Sequence, residues 1–259
     1  MEDSKLKRIN ELYKKSKAEG LTEEEKKEQK ALREEYVRLV HNNLRGQLDN
    51  ISFVNPDGSI TPAKPRKLKT QVSGMTKAEL RSHMIKMRSS MSEEDVIIKS
   101  NRIFNNLSSM KTFKNADIIL CYASYNKEVM TKEILNYCLS NGKKIAFPKV
   151  DGKNMDFYYI NSPDDLKPGY KEILEPETSF MVSEEDVLKS VLILPGTSFD
   201  RTLNRNGYGG GYYDRYIDKY RPGHVIGIAY EFQILPSIPH DIYDKKADYI
   251  VSEVKIYGK

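Results

Sequence analysis

Short apolar segments alternate with amphipathic helical segments from residue 117 onward, and this alternation restricts the folds open to the chain. The apolar segments are predicted strands, at 117–122, 144–147, 156–160, Val191–Leu194, 225–229 and 247–251. Predicted helices separate several of them, at 131–139, 183–188 and Tyr212–Tyr220. Strands that alternate with helices predict an α/β domain whose mostly parallel sheet carries helices on both faces.

Residues 1–58 predict a small all-α unit in front of this domain. A helical pattern covers residues 4–47 and is interrupted at Gly20. Thr22 and Glu25 have the spacing of a capping box, in which the hydroxyl accepts from an orphan amide and the carboxylate reaches back to the chain. A second helix is therefore expected to begin there, and two helices joined at Gly20 make a helical hairpin.

Residues 59–74 predict an extended linker, because Pro62 and Pro65 stand among basic residues. A second capping box, Thr76 with Glu79, opens the domain predicted at 75–259.

The composition of the 259 residues excludes several classes of protein. Hydrophobic residues make up 39% and charged residues 31%, and no run approaches the roughly 18 apolar residues that span a bilayer. We therefore expect no membrane partner, and the start of the chain does not predict a secretory signal. Cys121 and Cys138 have no Cys/His cluster around them, which favours buried, reduced thiols in the cytoplasm.

The net charge of +5 is concentrated in one short segment. Residues 61–70 contain no acidic residue and four basic ones, Lys64, Arg66, Lys67 and Lys69. Nucleic-acid binding generally requires a basic face on a folded element, so a nucleic-acid partner is not favoured.

A glycine-rich segment follows the strand Val191–Leu194, where ligands bind in such sheets, beyond the carboxyl ends of the strands. Four glycines fall in the five positions 207–211, a helix is predicted to start at Tyr212, and Arg205 and Arg215 flank the run. Exposed amides and a helix N-terminus suit an anion, although a flexible turn leading into a helix has the same pattern. The spacing disfavours a Rossmann fingerprint, and a P-loop is excluded because no Gly-Lys-Ser/Thr follows.

Other charged residues leave two readings open. Asp214 is either a first-turn carboxylate favoured by the helix dipole or a magnesium ligand beside a phosphate. Lys77, Arg81 and Arg88 share one stripe of a predicted helix, and such a stripe is either a solvated face or a cationic binding surface.

Several motifs in one order resemble those of the 5-formyltetrahydrofolate cyclo-ligase family, also called 5,10-methenyltetrahydrofolate synthetase. The most specific is a Phe-Asp, an Arg, a glycine-rich run and Gly-Tyr-Tyr-Asp, here at residues 199–214. The other similar motifs span residues 75–254 and comprise Lys77 to Arg81, Glu128 to Thr131, Gly142 to Pro148, Glu175-Pro176, Tyr230 to Gln233 and Pro239 to Asp241. The chain departs from the family at three positions: Leu203 replaces a usual Gly, Asn206 a usual Leu, and Met130 a usual acid.

The resemblance implies an ATP-dependent ligase that cyclises 5-formyltetrahydrofolate to 5,10-methenyltetrahydrofolate and releases ADP and phosphate, through a phosphorylated formyl group and with Mg²⁺. It implies ATP contacts from Lys77, Arg81, Arg205, Gly207, Gly209, Gly210, Gly211 and Tyr213. It implies folate contacts from Glu128, Tyr208 and Tyr212, and Mg²⁺ ligands in Asp214 and Asp241. The residues alone also allow Glu128 to be a helix-entry acid and Asp241 a turn residue.

The first unit resembles the YnzC-like family, short bacterial helical hairpins without a known catalytic set. The similar stretches are Ile9 to Leu12, Ala18 to Thr22 and Asn43 to Leu48. The chain is therefore expected to be a fusion whose hairpin contacts a partner that the sequence does not identify. In the competing interpretation, hairpin and linker bind a partner or RNA, and the α/β unit is a degenerate nucleotide binder. The intact motif at 205–214 favours the enzyme.

Overall fold

Two units make up the computed structural model, Met1–Gln71 and Val72–Lys259. The structure describes residues 3–22, 24–32, 52–54, 60–62, 74–169 and 172–258. No helix among these residues is both long enough and apolar enough to cross a membrane.

The first unit contains the predicted helical hairpin. Helix α1 (Asp3–Ala18) ends before Gly20, whose φ of +84° is accessible to glycine at little cost, and α2 covers residues 24–32. The capping box is confirmed, because the Glu25 amide donates to Thr22 Oγ1 at 3.2 Å and the Thr22 amide donates to Glu25 Oε2 at 3.0 Å. Ion pairs between the two helices, Arg8–Glu28 and Lys15–Glu25, support the hairpin.

An antiparallel pair of strands follows in the same unit. Strand β1 (Ser52–Val54) pairs with β2 (Ile60–Pro62), and β2 lies inside the linker predicted at 59–74. Ile60 and Thr61 are β-branched, which favours a strand, and they form a paired ladder where an unpaired linker was predicted. The rest of that linker up to residue 73, and the helical pattern predicted at 33–47, lie outside the described residues.

The second unit contains six helices and twelve strands among the described residues. The helices are α3 (Lys77–Ser89), α4 (Glu93–Ser109), α5 (Lys111–Asn115), α6 (Lys132–Ser140), α7 (Glu184–Leu188) and α8 (Tyr212–Tyr220). The strands are β3 (Ile118–Leu120), β4 (Lys144–Asp151), β5 (Asn154–Ile160), β6 (Leu166–Pro168), β7 (Leu174–Pro176), β8 (Val191–Leu194), β9 (Ser198–Asp200), β10 (Arg205–Asn206), β11 (His224–Ile228), β12 (Ile234–Leu235), β13 (Tyr249–Val251) and β14 (Ile256–Gly258).

Seven of these strands form the main sheet, in the order β14-β13-β11-β8-β3-β4-β5. The five central strands are parallel, and the two edge strands pair antiparallel with their neighbours. All six predicted strands lie in this sheet, so the mostly parallel α/β fold is confirmed. Successive side chains of a strand point to opposite faces of the sheet. In β3, Ile119 packs into the buried cluster on one face, and Ile118 and Leu120 pack into the cluster on the other face.

Helices cover both faces. On one side α4, α5 and α6 contribute Ile103, Phe113 and Ile134 to the buried cluster. On the other side α7 and α8 contribute Val187 and Tyr216. Leu80 and Met84 of helix α3 pack against Leu235 and Ile238 in a smaller cluster. This contact holds the first turns of α3 against the segment that contains β12.

The largest difference from a predicted strand boundary is at the end of β4, and the other boundaries differ by at most two residues. Strand β4 was expected to end at Pro148, yet it continues to Asp151 and pairs Pro148 with Phe157 of β5. Strand β3 ends at Leu120, which pairs with Ala146. Beyond that point β4 has a ladder partner only in β5, and a strand with one open side tolerates proline.

The strand order creates a switch point between β3 and β8. From β3 the chain proceeds through β4 to β5 at one edge, and from β8 it proceeds through β11 and β13 to β14 at the other. Connections leave these two strands in opposite directions, and a crevice opens beyond their carboxyl ends. The segments that follow Leu120 and Leu194 must therefore line the same space.

Candidate active site

A cavity of about 690 Å³ lies beyond the carboxyl ends of β3 and β8. The segment after β3, the glycine-rich segment after β8 and the exposed face of α3 all contribute to its walls. Every residue predicted for the site except Asp241 lines it: Lys77, Arg81, Glu128, Arg205, Gly207, Tyr208, Gly209, Gly210, Gly211, Tyr212, Tyr213 and Asp214.

The glycine loop, residues 207–211, needs glycine at two positions for its backbone. Gly209 has φ +94° and Gly211, the residue that precedes α8, has φ +66°. A Cβ on Gly209 would also stand 3.2 Å from the guanidinium carbon of Arg81. The loop therefore brings main-chain amides and a cation close together, an arrangement that suits a phosphate.

Arg205 is buried at the base of this loop. Its Nη2 donates to Asp214 Oδ2 at 2.8 Å, and its guanidinium lies over the Tyr213 ring at 5.7 Å. Its Nε is buried and has no hydrogen-bond partner within the described residues. Buried donors are nearly always paired, so this unpartnered donor suits a site that binds a ligand with acceptor oxygens.

Helix α3 is joined to the glycine loop by two residues. Arg81 Nε donates to the Gly207 carbonyl at 2.7 Å, and Asn206 Nδ2 donates to the Lys77 carbonyl at 2.9 Å. Asn206 stands where the family usually has Leu, and in this chain its buried amide makes a direct link that a leucine lacks. Asn206 thus connects the helix to the loop.

Lys77 is held by two carboxylates of the segment before β13. Its Nζ lies 2.6 Å from Asp241 Oδ2 and 2.5 Å from Asp244 Oδ2. Burial alone would lower the pKa of Lys77, but the two carboxylates outweigh it and raise the pKa, so the ammonium stays charged. The same ammonium lowers the pKa of Asp241.

Two carboxylates of this segment differ in their relation to the cavity. Asp241 was predicted as a metal ligand, yet its neighbour Asp244 lines the cavity and Asp241 does not. No motif pointed to Asp244, which stands three residues after Asp241 in a segment without helix or strand.

The acidic side chains of the described residues do not form a magnesium site by themselves. Within the described residues, no three His, Cys, Asp or Glu side chains form a group that could hold a metal. Asp214 Oδ2 accepts from Arg205, and Asp214 Oδ1 accepts from the Lys245 amide at 3.1 Å. Mg²⁺ is usually held by one or two carboxylates together with substrate phosphates rather than by an all-protein cage. Of the two predicted ligands, Asp214 lines the cavity and Asp241 does not.

A buried carboxylate, Glu128, also lines the cavity. Its Oε2 accepts from the Tyr125 amide at 3.0 Å, and its Oε1 accepts from the Tyr208 hydroxyl. Burial raises the pKa of Glu128, an effect that the Tyr208 hydrogen bond and the Arg88 cation oppose. Burial also raises the pKa of Tyr208, whose hydroxyl therefore stays protonated.

Tyr212 and Arg215 attach the glycine loop to the turn between β4 and β5. The Tyr212 hydroxyl donates to the Gly152 carbonyl at 3.1 Å. Arg215 donates from Nη1 to the Gly210 carbonyl at 2.9 Å and from Nη2 to the Lys153 carbonyl at 2.8 Å. Its guanidinium lies 5.1 Å from the centre of the Tyr212 ring. The loop is thus fixed on both sides, by α3 and by this turn.

An apolar wall completes the cavity, and sequence reasoning did not identify it. Its members come from the segment after β3, from the β4–β5 hairpin and from the segment before β7, namely Tyr122, Ala123, Tyr125, Pro148, Val150, Met155 and Ile173. The position of Tyr122 to Tyr125 directly after a buried strand is a signal that could have indicated them. The others depend on how β5 folds back along β4, which spacing does not reveal.

Models of two families match the chain. The 5-formyltetrahydrofolate cyclo-ligase family matches residues 73–253, and a bacterial protein family of unknown function (DUF896) matches residues 4–69. A UPF0291 protein of Lachnospira eligens is 61% identical over 61 residues, which are 24% of this chain and 73% of that protein. The Saccharomyces cerevisiae 5-formyltetrahydrofolate cyclo-ligase is 28% identical over 202 residues, covering 68% of this chain and 94% of the yeast protein.

Solved structures show the same fold as the second unit. The 5,10-methenyltetrahydrofolate synthetase of Aquifex aeolicus is 32% identical with a TM-score of 0.65, over 71% of this chain and 93% of that one. The synthetase of Mycoplasma pneumoniae is 21% identical with a TM-score of 0.55, over 69% of this chain and 99% of that one, and it is similar in fold. Both resemblances noted from the sequence motifs are thus confirmed.

Proposed function

We propose that this chain, which belongs to the 5-formyltetrahydrofolate cyclo-ligase family through residues 73–253, converts 5-formyltetrahydrofolate and ATP to 5,10-methenyltetrahydrofolate, ADP and phosphate. The observation that carries the proposal is that one cavity joins a cationic glycine loop to a buried carboxylate with an apolar wall. The triphosphate of ATP requires the cationic glycine loop, the pterin requires the carboxylate and the apolar wall, and the reaction requires the two surfaces to adjoin.

The reaction requires the γ-phosphate of ATP to lie next to the formyl oxygen of the folate. The formyl oxygen of a formamide is a poor leaving group, and nitrogen-10 of the folate is a weak nucleophile. Transfer of the γ-phosphoryl group to that oxygen gives an iminium phosphate. Nitrogen-10 then attacks the formyl carbon, the carbon–oxygen bond breaks, phosphate leaves, and nitrogen-10 loses its proton. Such a transfer needs positioning and charge neutralisation more than a protein nucleophile.

The triphosphate is assigned to the glycine loop. Its main-chain amides, the unpartnered Arg205 Nε and the Arg81 guanidinium supply donors and positive charge. Lys77 adds a third cation from the first turn of α3. The full set of proposed ATP contacts is Lys77, Arg81, Arg205, Gly207, Gly209, Gly210, Gly211 and Tyr213.

The folate is assigned to the other side of the cavity. An ionised Glu128 accepts hydrogen bonds from the N–H groups of a pterin, and Tyr208 stands beside it. Tyr212 offers an aromatic face for the pterin or aminobenzoyl ring. The apolar wall excludes water around the formyl carbon, which protects the phosphorylated group from hydrolysis.

Asp214 and Asp241 are proposed to hold Mg²⁺ together with the phosphates of the nucleotide. When bound, this ion supplies neutralisation of the charge on the β- and γ-phosphates. Asp214 also orients Arg205 through the 2.8 Å hydrogen bond, and Asp241 orients Lys77. Both aspartates thus place cations that face the phosphates.

The test is turnover by the full chain with 5-formyltetrahydrofolate, ATP and Mg²⁺, followed by the absorbance of the methenyl product. Wild type is expected to be active, and Glu128→Gln is expected to raise the folate KM while the ATP KM stays close to wild type. The matched control is Glu133→Gln, because Glu133 is exposed on α6 and does not line the cavity. A folded wild-type protein that forms no methenyl product contradicts the proposal.

The first unit is proposed to contact a partner of unidentified chemistry, because nothing in its described residues resembles a catalytic site. The cytoplasm is proposed as the location, in keeping with Cys121 and Cys138, which are free and buried.

A further inference from the structure

Arg88 is a buried cation on α3 that the nucleotide subsite does not use. The residue is only 3% exposed, although arginine is rarely buried without a specific partner. Its Nε donates to the Asn126 carbonyl at 3.1 Å, and its Nη1 lies 3.7 Å from Glu128 Oε1. Its guanidinium carbon lies 5.6 Å from the centre of the Tyr208 ring. Arg88 thus contacts Glu128 and Tyr208, two of the three residues assigned to the folate.

Arg88 is the charge partner of Glu128, because the other titratable groups that face Glu128 are uncharged. Within the described part of the chain, Arg88 is the one cation that forms an ion pair with Glu128. The other titratable groups that face Glu128 are phenols, whose pKa values burial raises and which therefore stay neutral: Tyr122, Tyr208, Tyr213 and Tyr230. A buried carboxylate without a cation is costly and takes up a proton instead.

We propose that Arg88 is a positioning residue of the folate subsite, which holds the Glu128 carboxylate and the Tyr208 ring in place for the pterin. The proposal rests on the function proposed above and deepens it. The planar guanidinium suits this role because one edge reaches the Asn126 carbonyl while its face lies over the aromatic ring. A lysine ammonium supplies the charge but not both contacts at once.

The position of Arg88 along α3 separates its effect from that of Arg81. Seven residues of helix span about 10 Å, and two full turns return the side chain to nearly the same face. Arg81 contacts the glycine loop and Arg88 contacts Glu128. One rigid helix therefore carries the cations of both subsites and sets the distance between the nucleotide and the folate.

The first test compares KM values for the two substrates. Arg88→Met is expected to raise the folate KM roughly ten- to a hundredfold, as for the loss of a charged partner, and to leave the ATP KM within about twofold. Arg88→Lys is expected to recover part of the folate affinity. Lys86→Met is the matched control, because Lys86 is exposed on the same helix and does not line the cavity; neither KM should change.

The second readout is the acid limb of the pH profile of kcat/KM for folate. Without Arg88 the pKa of Glu128 rises further, so in Arg88→Met the limb shifts to higher pH. Arg88→Lys restores the positive charge and is expected to return the limb towards its wild-type position. If Arg88 had a purely structural role, Arg88→Met would lower the melting temperature but would not shift the acid limb, and Arg88→Lys would have no shift to reverse.

Two further measurements keep the proposal falsifiable. If Arg88→Met unfolds, the double variant Arg88→Met/Glu128→Gln removes the unpaired charge and is expected to refold and bind ADP. In calorimetry it is expected to bind 5-formyltetrahydrofolate more weakly than Glu128→Gln alone, because the Tyr208 ring has also lost its contact with Arg88, and equal binding by the two variants contradicts the proposal. Equal rises in both KM values, or an unchanged folate KM in folded Arg88→Met, overturn the proposal. An inactive wild type that still binds 5-formyltetrahydrofolate in an Arg88-dependent manner overturns the proposed reaction and keeps the role of Arg88.

Discussion

Leu203 adopts a backbone conformation that leucine disfavours. It has φ +71° in the turn between β9 and β10, and it is one of the three positions at which the sequence motifs depart from the family resemblance. The left-handed region costs a non-glycine residue about 1–2 kcal/mol. The side chain is half-buried and packs against the cluster on the α8 face of the sheet, and this contact offsets part of the strain. The turn tolerates the departure because several other bonds hold it.

A pair of substitutions separates strain from packing at this position. Leu203→Gly and Leu203→Ala both remove the side-chain contact, but only alanine keeps the strain. We expect Leu203→Gly to be more stable than Leu203→Ala by about 1 kcal/mol in urea unfolding. At the exposed helical position Asn105 in α4 the order should reverse. Equal stabilities at Leu203 would show that the turn is not strained.

Asp200 is the residue that holds this turn. Its side chain is fully buried and accepts bonds from the amides of Thr202, Asn204 and Ile238 and from the side chains of Thr202 and Asn204. Burial alone would raise the pKa of Asp200, but these bonds outweigh burial and lower it. The lowered pKa means that Asp200 stabilises the fold above its unfolded pKa of about 3.9. That stability is lost as pH falls through the folded pKa.

Asp200→Asn is therefore expected to cost about 2–3 kcal/mol at neutral pH, because the new amide N–H groups face existing donors. The loss should shrink as the pH is lowered, since the wild type loses its own contribution there. Urea unfolding between pH 7 and pH 3 measures both effects. Asp151→Asn, at an exposed aspartate, is the control. A loss that does not depend on pH would contradict the assignment of the charge.

At the scale of elements, the sequence predicted long segments better than short ones. All six predicted strands and the capping boxes of α2 and α3 are present, because they depend on local patterns. The short strands β9, β10 and β12 were not predicted. They are two or three residues long, and their pairing depends on Asp200 and on the docking of distant segments, which no local pattern contains.

The glycine loop and α8 act as one element that Arg215 attaches to the β4–β5 turn. Arg215→Ala removes two hydrogen bonds to carbonyls and the contact with Tyr212. Because Arg215 is exposed, we expect global stability to change by less than about 1 kcal/mol. ADP affinity should fall several-fold, since the loop loses its preorganisation. Calorimetric titration with ADP measures this affinity. Lys219→Ala, at an exposed position of the same helix, is the control and should leave the ADP affinity unchanged. Unchanged ADP affinity would exclude this role.

For the whole molecule, the fold class followed from the alternation of strands and helices, but the strand order did not. The order matters because the switch point between β3 and β8 brings together residues as far apart in the chain as Lys77, Glu128 and Arg205. The motifs anticipated twelve of the 26 residues that line the cavity. Asp244 belongs to no motif, and Pro148 is the one member of the apolar wall that lies in a motif, which predicted a strand rather than a cavity wall. The role proposed for Arg88 rests on its burial beside Glu128.

The two units are expected to function separately. All residues that line the cavity lie in the unit Val72–Lys259, which has its own buried clusters. A fragment of residues 72–259 should therefore fold and show KM values for ATP and folate within about twofold of those of the full chain. Activity assays and calorimetric unfolding of the two proteins check this expectation. A folded but inactive fragment would assign a catalytic role to the first unit.

The central claim is that the cavity brings the γ-phosphate of ATP to the formyl oxygen of the folate. It is tested most directly with 5-formyltetrahydrofolate that carries ¹⁸O in the formyl group. After turnover by the full chain with ATP and Mg²⁺, mass spectrometry of the inorganic phosphate should find the label there, because the carbon–oxygen bond breaks after the oxygen has received the phosphoryl group. Label released into water, with unlabelled phosphate, would contradict the account.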